Sequence, residues 1–135
     1  GLGVSAIGRI GDCYSQNARD LPGYYGALDS GHLPVARGLR LSEDDLIRRA
    51  AIGELMCHGM LDREAFGARY RLDFDTYFAD AMKRLEALAK DGLVTIDARR
   101  IVATSRGRLL LRIIAMCFDA YLDAGAPPTR YSRAI

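Results

Sequence analysis

Between Asp73 and Gly92 the chain carries Phe74, Tyr77, Phe78, Ala81, Met82, Leu85 and Leu88 at steps of three and four. Side chains return to one side of a helix every ~3.6 residues, so this stripe predicts an α-helix and excludes a strand. A helix with one apolar face must bury that face against another element. The preceding sequence supplies candidates. Ser42, followed by Glu43, Asp44 and Asp45, opens an earlier helix, with its acids at the positive end of the helix dipole. Leu46, Ile47, Ala50, Ala51 and Leu55 form its inner face, and Gly59 ends it. A short second helix is expected from Asp62, with Ala65, Phe66 and Tyr70 facing inward. Asp73 then caps the striped helix and Gly92 stops it.

Past Gly92, Leu93, Val94 and Ile96, then Ile101 and Val102, read as two short strands. Asp97, Ala98 and Arg99 turn between them. Thr104 or Ser105 caps a last helix that is apolar almost all round from Leu109 to Phe118, so it is expected to be buried on most sides. Gly125, Pro127 and Pro128 end it, and the tail Tyr131-Ser132-Arg133-Ala134-Ile135 follows. Three helices, a small hairpin and another helix is the order of a winged helix, with its core over residues 40–125. The predicted class is mainly α with a small β-hairpin.

The first forty residues differ. Leu2, Val4, Ala6, Ile7 and Ile10 are interleaved with Gly1, Gly3 and Gly8, which suits a strand or tight loop. Such a piece cannot bury itself and is expected to belong to a sheet outside this sequence. Asn17 to Ser30 carries Leu21, Tyr24, Tyr25 and Leu28 at helical spacing, with Pro22 tolerated in a first turn and Gly31 as the stop. Residues 32–41 read as an extended connector around Pro34. With 135 residues and no initiator Met, the chain is expected to be one domain's worth of a longer protein, or a processed product, with no complete active site of its own.

Charge and motifs exclude several functions. The net charge of +2 implies no polyanionic partner by itself. Residues 99–112 do hold Arg99, Arg100, Arg106, Arg108 and Arg112 without an acid, which reads as a solvated helix start or as a binding surface. A winged helix usually presents its third helix to DNA. Here that segment, 73–91, sets Asp73, Asp75, Asp80, Glu86 and Asp91 against Lys83, Arg84 and Lys90, and an acidic helix repels phosphates. It also lacks an Asn, Gln or Arg cluster for base edges.

Cys13, Cys57 and Cys117 form no CxxC pair, and His32 and His58 stand apart, so no zinc or iron–sulfur spacing exists. Cys117, in an apolar run, reads as a buried small hydrophobe. An odd number of cysteines suits a reducing cytoplasm. Asp12-Cys13-Tyr14 would suit a reactive thiol, but neither histidine is close in sequence. Gly1, Gly3 and Gly8 permit close approach of backbone to a ligand. The longest apolar stretch, Ile113 to Phe118, is far shorter than the ~20 residues a membrane span needs.

Specific words add a resemblance. Gly3-Val4-Ser5-Ala6-Ile7 and Gly11-Asp12-Cys13-Tyr14-Ser15-Gln16-Asn17 resemble the end of the catalytic barrel of the oxygen-independent coproporphyrinogen III oxidase family, radical S-adenosylmethionine (SAM) enzymes of haem biosynthesis. Asp91-Gly92-Leu93-Val94, Gly107-Arg108-Leu109-Leu110, Met116-Cys117-Phe118-Asp119 and the tail from Tyr131 to Ile135 are similar to later words of that family. The resemblance covers essentially the whole chain.

It implies a parent enzyme in which a [4Fe-4S] cluster splits SAM, and two propionates of coproporphyrinogen III become vinyl groups, giving protoporphyrinogen IX. The family's CxxxCxxC cluster motif is absent from this sequence, so no catalytic or metal-binding residue is assigned here. The resemblance carries one ligand residue into the chain: Ile7, at a position that contacts SAM, with Ser5 and Ala6 beside it.

Residues 1–40 are then the end of the barrel and a connector, and 41–135 a winged-helix-like C-terminal domain that helps cover the site. Arg9 and Arg133 are candidates for substrate carboxylates. The expected partners are coproporphyrinogen III and the enzyme's own N-terminal barrel, with no nucleic acid and no membrane, in the cytoplasm. Removed from the barrel, the first forty residues are expected to dimerise or exchange strands. The competing expectation is a winged-helix module that binds nucleic acid or protein.

Overall fold

Residues 1–122 are described by the computed structural model. The chain divides into two units, Gly1–Leu46 and Ile47 onward, at a point inside one helix.

In the first unit, β1 (Ile7–Ile10) turns through Gly11, at φ 58°, into β2 (Cys13–Asn17). After the helix α1 (Leu21–Asp29), β3 (Val35–Arg40) pairs antiparallel with β2, so the sheet order is β1-β2-β3. Two expectations are corrected. The opening strand finds its first partner within the chain, and residues 32–41 contain a strand rather than a bare connector. The polar run Cys13-Tyr14-Ser15-Gln16-Asn17 hid β2, because alternation is visible only when one face is apolar.

Helix α1 begins later than expected. Asp20 caps it by accepting from the Gly23 N–H at 2.7 Å, and Pro22 sits in its first turn. Asn17 instead ends β2. Its buried side-chain amide donates to the carbonyls of Gly1 (3.1 Å) and Gly3 (2.9 Å) and fastens the glycine-rich segment. No large apolar side chain of this unit is buried.

Helix α2 (Glu43–His58) opens as predicted. Ser42 Oγ accepts from the Asp45 N–H at 3.1 Å, and the Asp45 carboxylate accepts from the Ser42 N–H at 2.8 Å. Those two bonds satisfy orphan amides reciprocally. Ile47, Ala51 and Leu55 are buried, and Gly59, at φ 69°, ends the helix.

Then comes a strand the sequence concealed, β4 (Met60–Asp62), too short to show a period. Asp62 caps α3 (Arg63–Tyr70) through the Ala65 N–H at 3.0 Å. Phe66 is buried as expected, but Ala65 is exposed.

The striped segment is two helices, α4 (Phe74–Tyr77) and α5 (Ala79–Lys90), broken at Phe78. Its apolar stripe does face the core. The Phe78 ring lies 4.8 Å from Phe74, 6.0 Å from Phe66 and 5.1 Å from Phe118, centroid to centroid. Each fully buried Phe of this cluster contributes on the order of 1.5–3 kcal/mol.

The expected hairpin is present as β5 (Val94–Ile96) and β6 (Arg100–Ala103), with β4 added to give a sheet of order β4-β6-β5. Among the described residues there are thus two small three-stranded sheets, not one hairpin.

The last expected helix is also divided, into α6 (Ser105–Arg108) and α7 (Leu111–Met116). Thr104 caps α6, accepting from the Gly107 N–H at 3.0 Å. The Thr104 hydroxyl donates to the Gly92 carbonyl at 2.8 Å and its N–H to Leu93 O at 3.1 Å. These bonds pin α6 beside the start of β5 before the chain turns into α7. The turn puts Leu109 (86% exposed) and Leu110 (38%) outside, so burial all round does not occur. Ile114, Ala115, Cys117 and Phe118 are buried. The Gly125–Pro128 stop and the Tyr131–Ile135 tail lie outside the described residues.

Candidate functional site

Side chains alternate across a strand, so the pairing of β1, β2 and β3 sorts the first sheet into two faces. One face holds two cross-strand rows, Arg9–Tyr14–Leu39 and Ile7–Gln16–Arg37. These rows line most of a groove of about 450 Å³, bounded by Ile7, Tyr14, Ser15, Gln16, Arg37, Gly38 and Leu39. Ile7, the residue expected to contact SAM, is 67% exposed there. Its apolar side chain forms one wall of the groove and suits a flat, weakly polar ring.

Beside Ile7, Gln16 is tied at both ends. Its Nε2 donates to the Ser5 carbonyl at 3.2 Å, and its Oε1 accepts from Arg37 Nε at 2.7 Å. Ser5 itself has φ 54°, an uncommon backbone state for a residue with a side chain. Ala6 accepts from the Asn17 N–H at 3.0 Å.

Of the candidates, the fold brings Ile7 and Arg9 onto one face. Arg133 lies outside the described residues. Gln16 and Arg37 were not singled out by sequence. They join the site only through strand register, and a chain region read as a connector has no register to read.

The opposite face holds Cys13 and Arg40. Asp12 pairs with Arg40 at 2.8 Å, and that hydrogen bond holds its carboxyl below the usual range. The Cys13 thiol donates to Asp12 at 3.4 Å, which pushes its pKa up. That favours the neutral thiol and argues against the reactive thiol considered from sequence. Cys57 is exposed, while Cys117 is buried and pushed up by desolvation. Among the described residues no group of three or more His, Cys, Asp or Glu side chains is placed to hold a metal ion.

In the basic segment after residue 98, Arg99, Arg100 and Arg108 have partners. Arg99 pairs with Asp62 at 2.9 Å and Glu64 at 3.8 Å, and Arg100 lies 3.6 Å from Asp62. Asp97 accepts from the backbone N–H of Arg99 (2.7 Å) and Arg100 (2.6 Å), and these bonds hold its carboxyl below the usual range. Arg63 pairs with Asp75 and donates to the Asp97 carbonyl at 2.5 Å. Arg108 donates to the His58 carbonyl at 3.4 Å. Arg99, Arg100 and Arg63 tie the hairpin to α3, its cap Asp62 and α4, and Arg108 ties α6 to the end of α2.

Comparison with known proteins gives a consistent likeness. Residues 41–110 match the family model described as the HemN C-terminal domain. The whole chain is 48% identical to the oxygen-independent coproporphyrinogen III oxidase of Pseudomonas aeruginosa and 47% identical to that of Escherichia coli. It spans 29% and 30% of those two proteins' lengths. The solved structure of coproporphyrinogen III oxidase (HemN) from Escherichia coli, described as a radical SAM enzyme, superposes with a TM-score of 0.84 at 48% identity. That match covers 90% of this chain and 28% of the solved one.

Proposed function

The chain belongs to the HemN C-terminal domain family, and from that membership we propose that it serves as the covering part of an oxygen-independent coproporphyrinogen III oxidase. Such an enzyme oxidatively decarboxylates two propionates of coproporphyrinogen III to vinyls, giving protoporphyrinogen IX. The observation that carries this reading is near-50% identity sustained along the whole chain.

In this reading the β1-β2-β3 unit continues the edge of the radical SAM barrel. The part from residue 41 onward is a winged-helix-like domain at the barrel's mouth. The order α2, β4, α3, α4–α5, β5, β6 supports the winged-helix assignment. When bound in the parent enzyme, a [4Fe-4S] cluster and SAM would supply radical chemistry at the propionate side chains.

Cys13, Cys57 and Cys117 lack CxxxCxxC spacing, so the cluster is assigned to residues outside this sequence. Ile7 is assigned to SAM, as an apolar wall for the adenine with backbone polar groups beside it. The domain's remaining task is to exclude water and oxidants from the reacting centre. Its partners are coproporphyrinogen III and the enzyme's own barrel. Nucleic acid is disfavoured by the paired hairpin arginines and by the acidic excess over residues 73–91. No helix among the described residues is long and apolar enough to cross a membrane. Three free thiols agree with a cytoplasmic setting.

The test is anaerobic turnover by the intact enzyme that contains this chain. SAM-dependent formation of protoporphyrinogen IX is expected, and Ile7→Ala is expected to raise the Kd for SAM roughly five- to tenfold by removing apolar contact. Absence of that product overturns the function. An unchanged SAM affinity removes Ile7 from the site.

A further inference from the structure

The groove that contains Ile7 also carries a prepared cation. Arg37 is aimed by a two-step tether: Ser5 carbonyl to Gln16 Nε2 at 3.2 Å, then Gln16 Oε1 to Arg37 Nε at 2.7 Å. The tether uses the Nε edge of the guanidinium. Its two Nη groups remain, and their fork of parallel N–H donors matches a carboxylate with two bonds. Neither row of this sheet face contains an acid, and Arg37 has no ion pair among the described residues.

The sheet treats its arginines differently by face. Arg40, three residues on, points to the opposite face and is matched to Asp12 at 2.8 Å. Arg9 shares the groove face with Arg37 and also lacks an ion pair among the described residues. In the register Arg9 and Arg37 occupy diagonal corners, with Cα atoms about 12 Å apart on ideal strand and residue spacings. Between them lie Ile7, Tyr14 and Leu39, and Ile7 and Leu39 are 67% and 60% exposed. An apolar floor with cations at opposite corners fits a flat organic framework that bears carboxylates at its edge.

We propose that Arg37, positioned by Gln16, binds a carboxylate of the ligand that occupies this groove. The proposal rests on the function argued above, which offers two sources of that group: a propionate of the tetrapyrrole, or the amino-acid carboxylate of SAM. Only the tetrapyrrole carries further carboxylates, so only it gives Arg9 a role as the second anchor.

The experiment is equilibrium binding to the intact enzyme. The tetrapyrrole probe is coproporphyrin III, the fluorescent oxidised form that keeps all four propionates, compared with its tetramethyl ester; SAM is measured in parallel by dialysis. Arg37→Met is expected to weaken one ligand roughly tenfold to a hundredfold, the loss of a charge-assisted pair. Arg37→Lys, which keeps the charge and loses the fork, and Gln16→Leu, which loosens the aim, are each expected to show a smaller loss. Arg40→Met, on the other face, is expected to change neither affinity.

If the source is a propionate, the loss falls on coproporphyrin III, Arg9→Met shares it, and the ester binds parent and variant alike. If the source is SAM, the loss falls on SAM and Arg9→Met is silent. If Arg37→Met and Arg37→Gln keep the parent's melting temperature and leave both affinities within twofold, the proposal is overturned. An unaltered enzyme that binds neither ligand overturns the function itself, and this proposal with it.

Discussion

A Cβ built on Gly107 would lie 1.8 Å from the carbonyl oxygen of Leu93, which is backbone and cannot swing aside. Gly53, in the middle of α2, has nothing within 4 Å of its added Cβ. The two glycines therefore respond oppositely to the same substitution. Gly107→Ala should destabilise the second unit by ~3 kcal/mol or more, because α6 must leave β5. Gly53→Ala should stabilise it by about 0.5–1 kcal/mol, since a helix-interior glycine only adds freedom to the unfolded chain. Denaturant unfolding of the two variants checks both signs at once. Nothing in one dimension separates these glycines, since close approach is a property of the partner strand. Gln16 and Arg37 were hidden for the same reason. Ile7 was named through a resemblance rather than through its chemistry, and Arg9, also named, lies on the same sheet face.

The elements that were legible are those with an end signal. Ser42, Asp62, Asp73 and Thr104 each cap the helix that follows, and Gly59 and Gly92 take positive φ where helices stop. The missed elements, β2, β3 and β4, are polar, solvent-facing or three residues long. A strand announces itself only by alternation over several residues, and its pairing partner supplies the rest.

The β5–β6 hairpin was legible because Asp97 marks its turn, and that residue gives it a pH dependence. Backbone donors from Arg99 and Arg100 hold the Asp97 carboxyl below its ordinary value of about 3.9. The Ala65 N–H does the same for Asp62, and the Thr76 hydroxyl and N–H do so for Asp73. Near pH 4 the unfolded chain then binds more protons than the folded one. The stability these carboxylates contribute is complete above about pH 5 and is lost as pH falls through 4 towards their lowered folded values. Asp97→Ala should melt at a lower temperature than the parent at neutral pH. The gap should narrow as pH falls below about 4 towards the lowered folded value, where the parent's Asp97 takes up its proton. Melting temperatures measured from neutral to acid pH decide it; a gap that stays constant assigns the effect to the turn backbone alone.

At the scale of the molecule the two units are built on different terms. From Ile47 onward, Leu55, Leu61, Phe66, Phe78, Leu85, Ile101, Ile114 and Phe118 are almost fully buried in one cluster. In Gly1–Leu46 only Asn17 and Pro34 are buried, while Leu2, Ile10, Leu33 and Leu39 are at least 60% exposed. Three short strands without a covered face are marginal in water. The sheet also presents β1 and β3 as free edges within this unit, a template for further strand pairing. Two measurements on the isolated chain follow. Amide hydrogen exchange should be fast throughout β1, β2 and β3 and slow in α2, α5 and β6, because exchange protection tracks the local free energy of opening. Sedimentation should show dimers or larger species that dissociate on dilution, since a second copy can cover the exposed apolar face and edges. Association should protect the amides of β1 and β3 more than those of the inner strand β2, whose partners are already in place. A chain that sediments as a monomer while β1 to β3 exchange as slowly as the core would mean that the first unit is stable uncovered, and the need for a covering partner would disappear.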